Sequence, residues 1–400
     1  MKKIKKKTNQ AKKVKVLVAM SGGVDSSVAA KLLKNQGYEV VGIFLHFWKE
    51  NLKRVKNFNF ENKCCSDKAL SDARKVANKI NIPLYVFDYS KIFKKQVVNN
   101  FLNEYKTGKT PNPCVRCNKL VKLGYLIKQA KKLGFDYVAT GHYACLRQEF
   151  SIFNFQFSKN TNNKNIYKLQ KAKDETKDQS YFLYTLNQQE LKHLLFPLGD
   201  YIKTEVRQLA KKFNLLVAEK KESQEICFIP EKNHNEFLKR NLKLKPGKIK
   251  TLDNKIIGKH NGLPLYTIGQ RKGVEISGKG PFYVAKTDYK TNALYVVNNK
   301  ADSALYSKQL IANNINWLSG KMPKLPLHCS AVIRYHHPTI KCVVTLPLTN
   351  IKKENKIKKI ARPKNNSLLV KFAKPQRAVT PGQSIVFYNN NEMLGGGVIN

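Results

Sequence analysis

Val16-Leu-Val-Ala-Met20-Ser21-Gly22-Gly23-Val24-Asp25-Ser26-Ser27 is an apolar strand that breaks at a Gly-Gly turn and restarts as a helix. That geometry makes an anion cradle. Gly22 and Gly23 can take the positive φ angles of a sharp turn and let the backbone come close to a ligand. The helix that follows carries Val24, Val28, Ala29, Leu32 and Leu33, stops at Gly37, and aims its unpaired N–H groups and positive dipole end over the turn. Ser21, Ser26 and Ser27 add hydroxyl donors. Asp25 would repel bare phosphate unless a cation lay between them, so the loop reads as a site for phosphate with a divalent metal.

Outward from this turn the chain alternates strand and helix as far as Tyr143. Strands are predicted at Val14–Met20, Tyr38–Leu45, Leu84–Asp88 and Tyr137–Ala139, and helices at Val24–Gln36, Ser66–Ile80, Lys91–Tyr105 and Asn118–Leu133. Leu70, Ala73, Val76, Ala77 and Ile80 recur at helical spacing, as do Leu123, Leu126, Ile127 and Ala130, the pattern of helices that cover a sheet with one face. Right-handed crossovers then give a doubly wound parallel sheet in an α/β fold, with ligands at the carboxyl ends of its strands. Three loops fall there: Ser21–Asp25, the segment after Leu45, and Gly141-His142-Tyr143.

Past about residue 215 Gly and Pro punctuate shorter segments such as Phe282–Lys286 and Ala293–Val297. Short β-branched strands follow at Ser330–Tyr335, Lys341–Leu346, Leu368–Ala373, Ser384–Asn389 and Gly396–Ile399, which reads as a small mixed domain and then a β-barrel. The expected division is a disordered basic arm at 1–13, a catalytic domain at 14–214, a central domain at 215–302 and a C-terminal β-barrel at 303–400. The asparagine-rich stretch Phe153–Asn165 reads as a loop insertion.

Charge narrows the partner. Lys+Arg 74 against Asp+Glu 27 leaves +47 over 400 residues, a field that gathers polyanions, nucleic acid foremost. Lysines crowd Met1–Lys13 and Ile351–Lys364, the second reading as a basic loop. Acidic residues have not risen with the basic ones, so solvated composition bias accounts poorly for the total. No run of 18 apolar residues and no apolar leader occurs, which predicts a cytoplasmic protein that does not engage a membrane. Eight cysteines, unevenly placed, do not form a secreted disulfide framework.

Pro111-Asn112-Pro113-Cys114-Val115-Arg116-Cys117-Asn118 sets two thiols at Cys-x-x-Cys spacing at the mouth of a predicted helix. The helix terminus and Arg116 favour thiolate. A zinc knuckle would need a second spaced pair, and Cys64-Cys65 is adjacent; a buried structural pair is the other reading. Cys227, in Glu222-Ser-Gln-Glu-Ile-Cys227-Phe-Ile-Pro230, taken alone reads as a packed core cysteine.

Ser21-Gly-Gly-x-Asp25-Ser26 resembles the pyrophosphatase loop (PP-loop) of enzymes that cleave ATP to AMP and pyrophosphate. The nearest approach to a Walker A loop, Gly108-Lys109-Thr110, has Asn103 where the first Gly belongs. With Thr110-Pro-Asn-Pro-x-x-x-Cys117-Asn, Thr140-Gly-His-Tyr-Ala144, Lys177-Asp-Gln-Ser-Tyr-Phe-Leu183, Ser223-Gln-Glu-Ile-Cys-Phe-Ile229, Gly269-Gln-Arg-Lys-Gly273 and Arg334-Tyr335, nearly the whole chain resembles the tRNA-specific 2-thiouridylase family. That family exchanges the 2-carbonyl oxygen of a wobble uridine for sulfur.

The resemblance implies roles by position. Ala19, Met20, Ser21, Gly22, Gly23, Val24, Asp25 and Ser26 would hold ATP with Mg²⁺, and Leu45 and Gly141 would line the nucleotide. Asn112, Pro113 and Cys114 would meet the flipped-out base. His142, Lys177, Asp178, Gln179, Arg334, Tyr335 and Gln383 would touch tRNA. Cys117 would be the nucleophile and Cys227 the persulfide carrier, linked transiently as a Cys117–Cys227 disulfide. A cysteine desulfurase or sulfur-relay protein would supply the sulfur. Many members have an acid where this chain has Cys114, so that position departs from the pattern.

The chemistry agrees with these residue types. A uridine carbonyl is a poor electrophile, and adenylation turns its oxygen into part of a good leaving group. The sulfur must arrive as a nucleophile, which two thiols can deliver. Two alternatives stand beside this reading. One is another ATP-pyrophosphatase acting on RNA, of 4-thiouridine synthase or tRNA ligase type, although a ligase has no use for Cys227. The other is a non-catalytic RNA-binding protein, against which the intact Asp25 and Ser26 argue.

Overall fold

Val16 and Val18 point to one face of the first strand and Leu17 and Ala19 to the other, and all four are buried, so this strand is covered on both sides. It is β1 (Lys15–Ala19), paired parallel to β2 (Glu39–His46), which pairs with β3 (Leu84–Asp88); its other edge takes β4 (Tyr137–Ala139). A hairpin of β5 (Cys145–Glu149) and β6 (Ile166–Gln170) leaves the sheet before β7 (Leu194–Leu195) returns beside β4. The order β3-β2-β1-β4-β7 is the doubly wound parallel sheet expected, with β7 as a fifth strand too short to read in advance.

The computed structural model describes residues 13–48, 66–149, 165–222, 226–229, 234–274, 276, 280–347 and 366–400. The arm before residue 13, Cys64-Cys65, the asparagine-rich stretch up to residue 164, residues 223–225 and the lysine-rich run 351–364 lie outside them.

On one face of the sheet, Val16 and Val18 pack with Val28 of α1 (Val24–Asn35), Ala73 and Val76 of α2 (Asp67–Lys79), and Val206 of helix Lys203–Lys212. On the other, Leu17, Ile43 and Leu45 meet Phe93, Phe101 and Leu126. Each large side chain so buried contributes about 1.5–3 kcal/mol. Gly22 takes φ +69, as a sharp turn requires, but Gly23 is extended at φ −97 and ψ 163. Only one of the two glycines therefore needs the left-handed region.

The helix expected to begin at Asn118 begins at Pro113 instead. The Asn112 side chain caps it, accepting from Val115 N at 3.3 Å, and Pro113 fits the first turn because no donor is needed there. Asn118–Lys122 then widens into a π turn before the α-helix resumes at Gly124–Lys132. Cys114 and Cys117 thus lie inside the first turns of the helix rather than ahead of it.

The central segment forms a four-stranded sheet of β8 (Gly247–Lys250), β9 (Ile256–His260), β10 (Tyr283–Asp288) and β11 (Ala293–Val297), in the order β10-β11-β8-β9. Six antiparallel strands follow: β12 (Tyr306–Trp317), β13 (Leu327–Val332), β14 (Ile340–Thr345), β15 (Leu368–Arg377), β16 (Ser384–Asn389) and β17 (Glu392–Ile399). Pairing of β12 with both β15 and β17 closes them into a barrel. The twelve-residue β12 carried no sequence signal. Register shifts between Ser307 and Gln309 and between Asn313 and Asn316, with Asn314 at φ +53, break the alternation by which strands are read. The β5–β6 hairpin extends the barrel's sheet, joining β17 at Gln170 and Glu392.

Candidate active site

Topology brings thirteen of the expected residues to one cavity, while Asn112, Lys177, Asp178, Arg334, Tyr335 and Gln383 lie outside its lining. At the carboxyl end of the parallel sheet, a cavity of about 300 Å³ is lined by Ala19, Met20, Ser21, Asp25 and Ser26 of the loop and by Leu45. Pro113, Cys114 and Cys117 reach it from the capped helix, Gly141 and His142 from the end of β4, Gln179 from the following loop, and Cys227 from the far side. Gly22, Gly23 and Val24 form the turn behind this lining. Gly141 is small for a reason, since a Cβ there would stand 2.7 Å from Ser26 N at the start of α1.

Within the loop, Ser26 Oγ accepts from Ser21 N at 3.2 Å and donates to the Gly23 carbonyl at 3.2 Å, and Ser27 Oγ donates to the same carbonyl at 2.8 Å. These bonds shape the turn and leave the first-turn N–H groups of α1 directed outward. The cation that Asp25 requires is a side chain of this protein. Lys203, almost fully buried, donates to both Asp25 oxygens at 2.7 and 2.9 Å, and the Tyr143 hydroxyl donates to Oδ1 at 2.8 Å. Burial, reinforced by Asp25, pushes the Tyr143 phenol far above its usual range, so it stays a donor.

Lys203 also pairs with Glu222 at 2.9 Å, and Glu222 with Lys177 at 2.8 Å. Burial would raise the Glu222 carboxyl, but the Lys177 and Lys203 hydrogen bonds outweigh it and hold it low. Lys220 donates to the Gly22 carbonyl at 2.9 Å and pairs with Asp72. Lys203, Lys220, Tyr143 and Glu222 were not singled out from sequence. Tyr143 and Glu222 lie inside quoted stretches, whereas single lysines in so lysine-rich a chain carry no signal.

Other implied positions are braced by the fold. Gln383 Nε2 donates to the carbonyls of Thr110 and Pro111 at 2.9 and 3.3 Å, and Thr110 N donates to the Pro381 carbonyl at 2.8 Å. The barrel thereby holds the segment that carries Cys114. Asp178 accepts from Ala172 N, Ser180 N and Ser180 Oγ, and burial nonetheless raises its carboxyl. Gln179 Oε1 accepts from Tyr143 N at 3.1 Å. His142 bonds Thr140 Oγ1 at 2.7 Å, and burial, with Lys122 adding to it, keeps its ring neutral. Arg334 is exposed, and Tyr335 packs on Phe182 with ring centroids 4.4 Å apart.

Cys227 is seated by its neighbour. Phe228 is 1 % exposed and meets Phe93, Phe101 and Phe237 edge-on at 5.7, 5.3 and 5.6 Å, a cluster that fixes the short segment and turns Cys227 to the cavity. Among the described residues no group of three or more His, Cys, Asp or Glu could hold a metal ion. No described helix is long and apolar enough to cross a membrane.

A doubly wound sheet whose first turn is a Ser-Gly-Gly-x-Asp-Ser loop defines the class of PP-loop ATP-pyrophosphatases, here joined to a central domain and a closed β-barrel. Residues 14–231 match the family model described as "tRNA methyl transferase HUP domain", 235–298 the "tRNA methyl transferase PRC-barrel domain", and 307–353 with 352–399 the "Aminomethyltransferase beta-barrel domain". A tRNA-specific 2-thiouridylase of Halothermothrix orenii is 45% identical over 387 residues, covering 96% of this chain and 98% of that one. One from Thermoanaerobacter sp. is 44% identical (96% and 97%), and one from Coxiella burnetii 43% (96% and 98%). The chain belongs to the tRNA-specific 2-thiouridylase family.

Proposed function

We propose that this protein is the enzyme that replaces the 2-oxo group of a tRNA wobble uridine with sulfur, at the cost of ATP. The observation that carries this reading is that Ser21, Asp25 and Ser26 line the same cavity as Cys117 and Cys227. The cavity's thiols support thiolation over the methyl transfer in the family models' descriptions. The charge of +47 supports a polyanionic substrate, and the absence of a spanning helix among the described residues agrees with work in the cytoplasm.

The first-turn N–H groups of α1 and the loop hydroxyls bind the nucleotide's phosphates, while Leu45 and Gly141 line its other side. An Mg²⁺ arriving with the nucleotide would be held by the phosphates together with Asp25, whose charge Lys203 already balances, and would supply neutralisation of the pyrophosphate. The uridine is extruded from its stack, meets Asn112, Pro113 and Cys114, and its O2 attacks the α-phosphorus, releasing pyrophosphate. His142, Lys177, Asp178, Gln179, Arg334, Tyr335 and Gln383 serve the tRNA side, by contact or by bracing the segments that make it.

Cys227 carries a persulfide delivered by a cysteine desulfurase or relay protein. Its outer sulfur attacks C2, and the C2–O bond breaks as AMP leaves. Cys117 thiolate then attacks the Cys227 sulfur: the S–S bond to the substrate breaks, the outer sulfur stays on C2, and a Cys117–Cys227 disulfide forms. A thiol reductant returns two electrons to reopen it. Should Cys117 cut the persulfide first, the released hydrosulfide attacks C2 and the same disulfide results.

The test is mass spectrometry of nucleosides from tRNA incubated with the protein, ATP, Mg²⁺ and a persulfide donor. A uridine heavier by the oxygen-to-sulfur exchange is expected, absent in Cys117→Ser and Cys227→Ser, which still release pyrophosphate. Unmodified tRNA with the wild-type protein would remove the proposal.

A further inference from the structure

Among the described residues that line the cavity, the ionisable groups are Asp25, Cys114, Cys117, Lys122, His142 and Cys227. Asp25 is paired with Lys203, and burial keeps His142 neutral. Lys122 is therefore the cation this lining presents. Its neighbours are committed elsewhere: Lys119 pairs with Glu190 at 2.7 Å, and Arg116 donates from Nε to the Gln96 carbonyl and from Nη2 to Gln96 Oε1. No ion pair or hydrogen bond occupies the Lys122 ammonium among the described residues.

The backbone explains how Lys122 comes to face the cavity with Cys117. In an α-helix two residues five apart diverge by about 140° around the axis, whereas a π turn reduces this to roughly 50°. Asn118–Lys122 is such a turn, closed by Leu123 N donating to the Asn118 carbonyl at 3.0 Å. Val121, four residues on from Cys117, goes fully into the core instead. A regular helix would have carried Lys122 off the cavity face.

We propose that Lys122 is a positioning residue that holds Cys117 as the thiolate which sulfur transfer requires, a proposal that rests on the function given above. A cation near a thiol favours the charged form. Among the described residues, the other ionisable groups of the cavity lining supply no cation: Cys114 one turn earlier, His142 from the end of β4, Asp25 from α1 and Cys227. The π turn is then the device that brings charge to the nucleophile, in keeping with the frequent placement of such turns at functional sites.

The test is the pH dependence of Cys117 alkylation by iodoacetamide in the full-length protein, read by peptide mass spectrometry; cleavage after Arg116 separates Cys117 from Cys114. In the wild type the midpoint is expected below that of an ordinary thiol. Lys122→Met should raise it by about one pH unit or more, slowing alkylation near pH 7 about tenfold, and Lys122→Arg should restore it. Lys122→Gln repeats the measurement should the methionine variant not fold. An unmoved profile in a folded variant overturns the proposal, and one combined with lost pyrophosphate release would assign the ammonium to the nucleotide instead. Alkylation needs neither tRNA nor sulfur, so its failure is distinct from failure of 2-thiolation.

Discussion

Lys203 Nζ stands 2.7 Å from Asp25 Oδ1 across 178 residues of sequence, so the carboxylate of the phosphate loop is neutralised before any nucleotide arrives. The same ammonium reaches Glu222 at 2.9 Å, five residues ahead of the proposed sulfur carrier.

Asp25→Asn keeps an acceptor for Lys203 and Tyr143, so the fold should survive with little change in melting temperature. Pyrophosphate release should fall about a hundredfold or more, the scale on which a preorganised polar group acts. Lys203→Met should both abolish release and cost about 2–3 kcal/mol, because two part-buried carboxylates lose a shared cation. Thermal melts and a pyrophosphate assay check both; near-normal release by Asp25→Asn would take that carboxylate out of the mechanism.

The two loop glycines should differ sharply. At Gly22 a Cβ would collide with the Ala69 carbonyl oxygen, at φ +69, whereas at Gly23 the nearest atom is Ser21 Oγ at 3.5 Å. Gly22→Ala should destabilise by about 2 kcal/mol or more, strain and displacement together, while Gly23→Ala should unfold within roughly 0.5 kcal/mol of wild type. Urea titration of the pair decides.

Gln383→Leu removes the donor that braces Thr110 and Pro111. The expected cost is about 1–2 kcal/mol, with tRNA thiolation reduced and ATP binding kept. Equal loss of both, in a thiolation assay run beside nucleotide titration, would deny the barrel a separate role in holding the Cys114 segment.

Cys114→Asp tests the residue that departs from the family pattern. If Cys114 meets the base or is a bystander, activity is retained, which is the expected result. Turnover that stops after one cycle, with a Cys117–Cys227 disulfide accumulating by mass spectrometry, would make Cys114 the thiol that resolves it.

Acid should weaken the fold through buried imidazoles. Burial lowers His142 well below its usual value and lowers His260 as well. An unfolded histidine takes up a proton near pH 6.5 while the folded one does not, so stability is complete above that pH. It is lost as pH falls toward each folded value, by at most about 1.4 kcal/mol per pH unit for each ring. Urea unfolding at pH 7.5 and 5.5 measures the slope, and His260→Gln should make it shallower.

What local sequence determined was whatever local physics encodes. The strand–turn–helix at Val16–Ser27, the alternation that makes a parallel sheet, the late β-branched strands and the Cys-x-x-Cys spacing all depend on residues a few positions apart. Dihedral preference and hydrophobic period act at that range. Resemblance added which thiols to join, and the fold set Cys117 and Cys227 on one cavity. Tertiary structure alone decided the rest. Lys203 and Gln383 act on partners 178 and 273 residues away, and no periodicity marks such a pair. β7 is two residues long and β12 is bulged, so each exists because neighbouring strands pair with it. The π turn at Asn118–Lys122 hides in an ordinary helical pattern, since packing on both sides, rather than local preference, selects the wider turn.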